Sequence, residues 1–211
     1  MNFLEKSGLQ TAQTNFKNIF LKYIHHPGAE DLLDWLENRT DFFTAPAGAK
    51  HHGAYPGGLV VHSLNVWNRL WEITCRDVLN GRQDGLPMLT EETVAILALL
   101  HDVCKVGVYH LEPGRWRNPE TGRWEDCQEY KFRDPFPLGH GEKSLFLITK
   151  YMPLTNEEAL AIRWHMGAYD AAARSDLRDL SAAMAMTPWV WRLQEADMCA
   201  TYIDEREAAD V

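Results

Sequence analysis

Six side chains in this sequence are of types, and fall in places, that suit a metal site: His62, His101, Asp102, His140, His165 and Asp197. The strongest pair closes the stretch TVAILALLHDVCK, residues 93 to 105. A helix that is apolar all round is a buried one, so His101 and Asp102 arrive at its end with no solvent face to occupy. A buried carboxylate has to be paired or metal-bound. At a helix terminus the geometry loosens, and adjacent side chains can turn to one centre. Imidazole with carboxylate suits zinc, iron, manganese or nickel, whereas an all-oxygen set would point to magnesium or calcium. The expectation is one or two divalent transition-metal ions, magnesium being the outlying choice. Asp102 has two oxygens and could bridge two ions. Such ions turn bound water into a nucleophile near neutral pH, and a pair can clamp both the attacking and leaving oxygens of a phosphoryl transfer. Asp102 and Lys105 are the expected catalytic residues, with Lys105 meeting a phosphate as a point charge. Lys143 and Arg163, close in sequence to proposed ligands, are expected to assist in binding substrate, as is His52.

The elements that must position these groups are mostly helical. Leu9, Phe16, Ile19, Phe20 and Tyr23 recur at helical spacing until His25-His26-Pro27-Gly28 stops the run. Residues 29 to 38 form a second, short amphipathic helix. After the turn Pro56-Gly57-Gly58, a long helix begins near Leu59 and ends near Asn80-Gly81, with His62 in its first or second turn. His51 and His52, in the loop before it, are read as substrate-side or structural. Thr90 is the expected N-cap of the central helix, with glutamates in its first turn. VYHLEPGRWRNPETGRWEDCQEYKF then loses the helical period and reads as a two-stranded hairpin, within an insertion spanning 108 to 135. There Trp116 and Trp124 are expected to pair across the strands or to close over a ligand. A helix follows the turn Gly139-His140-Gly141. Thr155 to Glu158 caps the next, which ends at His165. Residues 168 to 187 are Ala-rich and partly looped. A last helix after Pro188 carries Asp197 on its apolar side. The fold class is all-α: one domain over residues 1 to 211, its first 50 residues forming N-terminal helices packed on the rest, with the small hairpin inserted. Most of the eight tryptophans fall at helical spacing among apolar residues and belong to the core.

With 211 residues, 45% of them hydrophobic, the chain can bury a sizeable core. The net charge of -9 and the lack of a basic stripe argue against binding long nucleic acid by charge. Bound cations would reverse the field locally, so a small anionic substrate remains compatible with it. Four scattered cysteines form no C-x-x-C pair, so reduced thiols are expected. No apolar run approaches the 18 residues of a membrane span, and the N-terminus lacks the apolar centre of a signal peptide. A cytoplasmic protein is expected, and oligomers are compatible with all of this.

His62 within HSLNVW, His101-Asp102 within LLHDVCK and Asp197 within EADMCA resemble the H…HD…D pattern of the HD-domain superfamily of metal-dependent phosphohydrolases. The similarity spans roughly residues 55 to 205. His140 and His165 match the additional histidines of its two-metal branches, and GAYPGGLVVHSL is similar to the entry of the HD domain in some 3′–5′ exoribonucleases. PLGHGEKS and RWHMG resemble segments of bacterial and prophage HD proteins. The resemblance implies an HD-type helical bundle that cleaves a phosphate ester or anhydride, the substrate being a small phosphorylated compound of nucleotide type. It does not extend to the HD-GYP subgroup: RWHMGAYD offers one histidine, followed by Met166 and Gly167, where that subgroup has a histidine pair, a glutamate and a Gly-Tyr-Pro element. Some HD-like proteins are di-iron oxygenases, which makes oxygen activation the rival chemistry. A metal-stabilised binding module without catalysis is the third reading.

Overall fold

A computed structural model describes residues 3–50, 52–81 and 91–205. The described residues are mostly helical, with one small antiparallel sheet among them. Helices α1 (Phe3–Tyr23), α2 (Ala29–Asn38), α3 (Gly58–Leu79) and α4 (Glu91–Leu100) precede strands β1 (Tyr109–Arg117) and β2 (Trp124–Phe132). Helices α5 (His140–Thr149), α6 (Asn156–Trp164), α7 (Ala171–Ser175), α8 (Arg178–Met186) and α9 (Trp189–Cys199) complete it. The stretch 168 to 187 is partly looped, as expected: it begins in a 3-10 turn, Gly167–Tyr169, and holds the short helices α7 and α8 with a break between them. Thr90 and His51 lie outside the described residues.

The core is organised around α4, buried without a break from Val94 to Leu100. No amphipathic stripe could satisfy that sequence, so helices must cover it on all sides. It packs against α1, α3 and α6, and α9 lies against both α3 and α6. From α1, Phe16 and Phe20 enter the core four residues apart, on one helical face. Phe16 meets Phe42 and Phe43 at 5.1 and 5.3 Å between ring centroids. Tyr23, Trp67 and Trp71 form a stack at 5.2 to 5.3 Å between neighbours, which settles these tryptophans as packing residues.

The start of α3 is fixed by two glycines. Gly57 takes φ 84°, a left-handed conformation that costs glycine little. Gly58 lies so close to the loop that an added Cβ would stand 2.0 Å from the Gly53 carbonyl oxygen. That contact draws the loop carrying His52 down onto the first turn of α3. At the start of α6, Thr155 and Glu158 form a reciprocal capping box, as the sequence predicts.

The hairpin has the expected strands but not the expected tryptophan pair. Trp116 faces Glu125, and Trp124 faces Arg117. Because side chains alternate between faces, this register puts the two indoles on opposite sides of the ribbon. Both are exposed, at 46% and 60%. Among the described residues, no helix is long and apolar enough to cross a membrane.

Candidate metal centre

All six predicted ligands meet. Four of them come from helix ends: His101 and Asp102 directly follow α4, His140 is the first residue of α5, and His165 is the C-cap of α6. His62 lies in the second turn of α3 and Asp197 in the last turn of α9. Helix ends suit the task because side chains there escape the neighbouring turn and can converge from different directions. The sequence places the start of α5 after a Gly139-His140-Gly141 turn; the structure begins it at His140 itself. Gly141 permits this, since a Cβ there would stand 2.1 Å from the Arg163 carbonyl oxygen, and α5 could not then approach α6.

The geometry divides around Asp102. Its Oδ2 lies 3.5 Å from His62 Nε2 and 3.5 Å from His101 Nε2. Its Oδ1 lies 2.8 Å from His140 Nε2 and 3.6 Å from His165 Nε2. Asp197 Oδ1 closes the first group, 3.2 Å from His62 Nε2 and 4.0 Å from that of His101. His62, His101, Asp102 and His165 are all buried.

The outer nitrogens decide what the inner ones can do. His101 Nδ1–H donates to the Ala98 carbonyl at 3.0 Å, and His165 Nδ1–H to the Ile162 carbonyl at 2.7 Å. A carbonyl can only accept, so in each neutral ring the proton is on Nδ1 and Nε2 presents a lone pair. His62 Nδ1–H donates to Glu205 at 3.0 Å. Its Nε2 then faces His101 Nε2 at 3.3 Å, two acceptors toward one another unless a proton or cation stands between them. His165 Nε2 is buried with no hydrogen-bond partner among the described residues. An unpaired polar atom of this kind costs about 1–3 kcal/mol. A divalent ion would satisfy it, so the residues fit a metal. Two groups sharing Asp102, one with His62 and His101 and one with His140 and His165, could each hold an ion.

The electrostatics agree. Burial pulls the His62 imidazole down, but hydrogen bonds to Asp197 and Glu205 outweigh it and hold the ring up at about 9. For His140, burial is likewise outweighed by Cys104 and Asp102, which hold it up at about 10. His165 is lowered, burial dominating, and is neutral at pH 7. Burial would raise Asp102, yet Lys105, His101 and His140 hold it well below the carboxylate range. Asp197 is likewise depressed against its burial, chiefly by His62.

The expected substrate-side residues separate. Lys105 Nζ reaches Asp102 Oδ2 at 2.6 Å, and this carboxylate keeps it charged despite burial. His52 lies beside the cluster, its ring centroid 5.6 Å from that of His62, and is lowered by burial and by Lys105. Lys143 is buried and paired with Asp134 at 2.6 Å. Arg163 is engaged by Asp170 at 3.1 Å and by Glu142, with its guanidinium 3.9 Å from the Trp164 ring.

Sequence reasoning missed Glu205 and Cys104. Glu205 follows a π-helical turn, Ala200–Asp204, which returns the chain to α3, where Arg69 pairs with Asp204 and Asn65 donates to Glu205 at 2.9 Å. Cys104 Sγ lies 3.4 Å from His140 Nδ1, the outer partner of that ring. Comparison with known protein families, curated proteins and solved structures finds no match to this chain.

Proposed function

We propose that this chain is a metal-dependent phosphohydrolase of the HD type, cleaving a phosphate ester or anhydride of a small phosphorylated compound. The observation that carries the reading is the division of four imidazoles between the two oxygens of Asp102. A carboxylate shared between two histidine groups suits a two-ion site of the kind that clamps the oxygens of a phosphoryl transfer. The order His62, His101-Asp102, Asp197 along the chain and their convergence on one point support the HD resemblance.

His62, His101, Asp102 and Asp197 would hold one ion; Asp102, His140 and His165 would hold the second. When bound, such ions supply Lewis acidity to the phosphoryl oxygens and lower the pKa of a coordinating water. The chain's own residues do the rest. Glu205, Ala98 and Ile162 hold the Nδ1–H of His62, His101 and His165, so that each Nε2 is aimed inward and offers its lone pair once the His62 proton has left. Lys105 stays protonated through the neutral range and puts a permanent positive charge at the mouth of the cluster, where a phosphate oxygen can exchange for the Asp102 contact. Preorganised charge of this kind stabilises a phosphoryl transition state without reorganisation at the moment of reaction.

The test is phosphate release from nucleotides, cyclic dinucleotides, dinucleotide polyphosphates and short oligonucleotides, with manganese, nickel, iron and magnesium in turn, in air and under anaerobic conditions. Release should persist without oxygen and be lost in Asp102→Ala. It should fall at least tenfold in Lys105→Ala. Oxygen-dependent turnover would favour an oxygenase instead, and no turnover with any metal would favour a binding module.

A further inference from the structure

A cavity of about 270 Å³ opens beside the ligand cluster, between the base of the hairpin and α5. Its inner wall is Lys105 and His140, the two residues that touch Asp102 from this side at 2.6 and 2.8 Å. Its outer wall is Tyr109 and Phe132, cross-strand partners whose rings meet edge-on at 5.7 Å. Lys143 and Asp134 line it too, as an ion pair at 2.6 Å. Phe132 is 61% exposed, a large ring left open to solvent next to a polar centre.

These features have a common use. The inner wall offers positive charge, suited to a phosphate. The aromatic wall offers a stacking face, and the ion pair offers donors and an acceptor for the edge of a flat polar ring. The volume falls just below the about 300–1,000 Å³ of pockets for drug-sized ligands, room for one ring system and its sugar rather than for a dinucleotide. A nucleobase, flat and polar at its edge, is the group that uses the aromatic wall and the ion pair together.

We propose that this cavity is the leaving-group subsite, binding one nucleoside with its base against Phe132 and its phosphate directed to Lys105 and the ligand cluster. This rests on the phosphohydrolase reading for the identity of the phosphate end only. The substrate is then a compound whose scissile phosphate is attached to a single nucleoside in this pocket, and the hairpin is the device that selects it.

The test uses the full chain loaded with manganese and measures binding of adenosine, guanosine, cytidine, uridine and free ribose, none of which carries a phosphate to hydrolyse. At least one nucleoside should bind ten or more times tighter than ribose. Phe132→Ala should weaken that nucleoside about 5- to 150-fold, the range of base–aromatic stacking. Phe132→Trp should keep the affinity, and so should Trp124→Ala at the far end of the hairpin. Circular dichroism checks that each variant is folded. No nucleoside preferred over ribose, or a preference that survives Phe132→Ala in a folded variant, overturns the subsite. Phosphate release from the four nucleoside monophosphates is measured in parallel. A nucleoside preference without release from these or from any other compound of the panel above, with any metal, leaves a nucleoside pocket standing and refutes hydrolysis; release without a preference does the reverse.

Discussion

Replacing His165 by leucine separates a metal site from a merely polar core. His165 Nε2 is buried with no hydrogen-bond partner among the described residues, while its Nδ1 donates to the Ile162 carbonyl. In metal-free protein the leucine variant leaves the buried Ile162 carbonyl without this donor, at a cost of about 1–3 kcal/mol, and is relieved of an unpartnered nitrogen that likewise costs about 1–3 kcal/mol. The metal-free melting temperature should therefore move by only a few degrees, in either direction. With metal the two proteins should part. An ion present at a hundred times its Kd stabilises the wild type by about 2.7 kcal/mol. For a chain of this length that raises Tm by roughly 5–11 °C. If the variant binds about a hundredfold more weakly, the same ion concentration equals its Kd and stabilises by only about 0.4 kcal/mol, or roughly 1–2 °C. Differential scanning calorimetry with and without manganese, nickel or zinc reads all four states. A metal-induced rise that is unchanged in the leucine variant would refute the assignment of His165 as a ligand.

Glu205→Gln keeps the shape but removes the charge that orients His62, so metal affinity should fall about 10- to 100-fold by isothermal titration, with the fold unchanged. His62 and His140 are held above the ordinary imidazole value, at about 9 and about 10 in the metal-free protein, so protons compete with metal below those values. Metal binding should tighten as pH rises from 6.5 toward 10, and at pH 8 it should release about two protons, measured by titration in buffers of different ionisation enthalpy. The stability of the metal-free protein should show the opposite trend in thermal melts against pH: raised folded-state values contribute stability that is full below the unfolded imidazole value and is lost as pH climbs from there through 9 and 10. Gly141→Ala should lower Tm by several degrees, consistent with an overpacking cost of about 1–3 kcal/mol, because its Cβ would collide with the Arg163 backbone and displace His140.

Much of the site is legible in the sequence for one physical reason. An apolar run such as Val94 to Leu100 can only be buried, so whatever polar residues end it must be buried too, and His101 and Asp102 announce themselves. The hairpin is legible from the loss of helical period and from its turn residues. Its register is not, because alternation puts Trp116 and Trp124 on opposite faces once a single pairing is fixed, and the sequence does not fix that pairing. Glu205 is hidden for a different reason: it belongs to an acidic run, IDERE, that resembles any solvated face, and only the π-helical turn brings it back to His62. Lys143 looked like a free cation near a ligand, but Asp134 lies beyond the hairpin and its pairing depends on where that insertion lands. The sharing of Asp102 between two histidine groups depends on side-chain torsions, which sequence spacing leaves open.

Elemental analysis of the full chain, purified without chelator after growth with added manganese, nickel, iron and zinc, asks whether an ion is held at all. At least one transition-metal ion per chain is expected in the wild type, falling to background in a folded His101→Ala, Asp102→Ala double variant. A folded wild type with no metal, or metal retained equally by the double variant, would contradict a centre at Asp102.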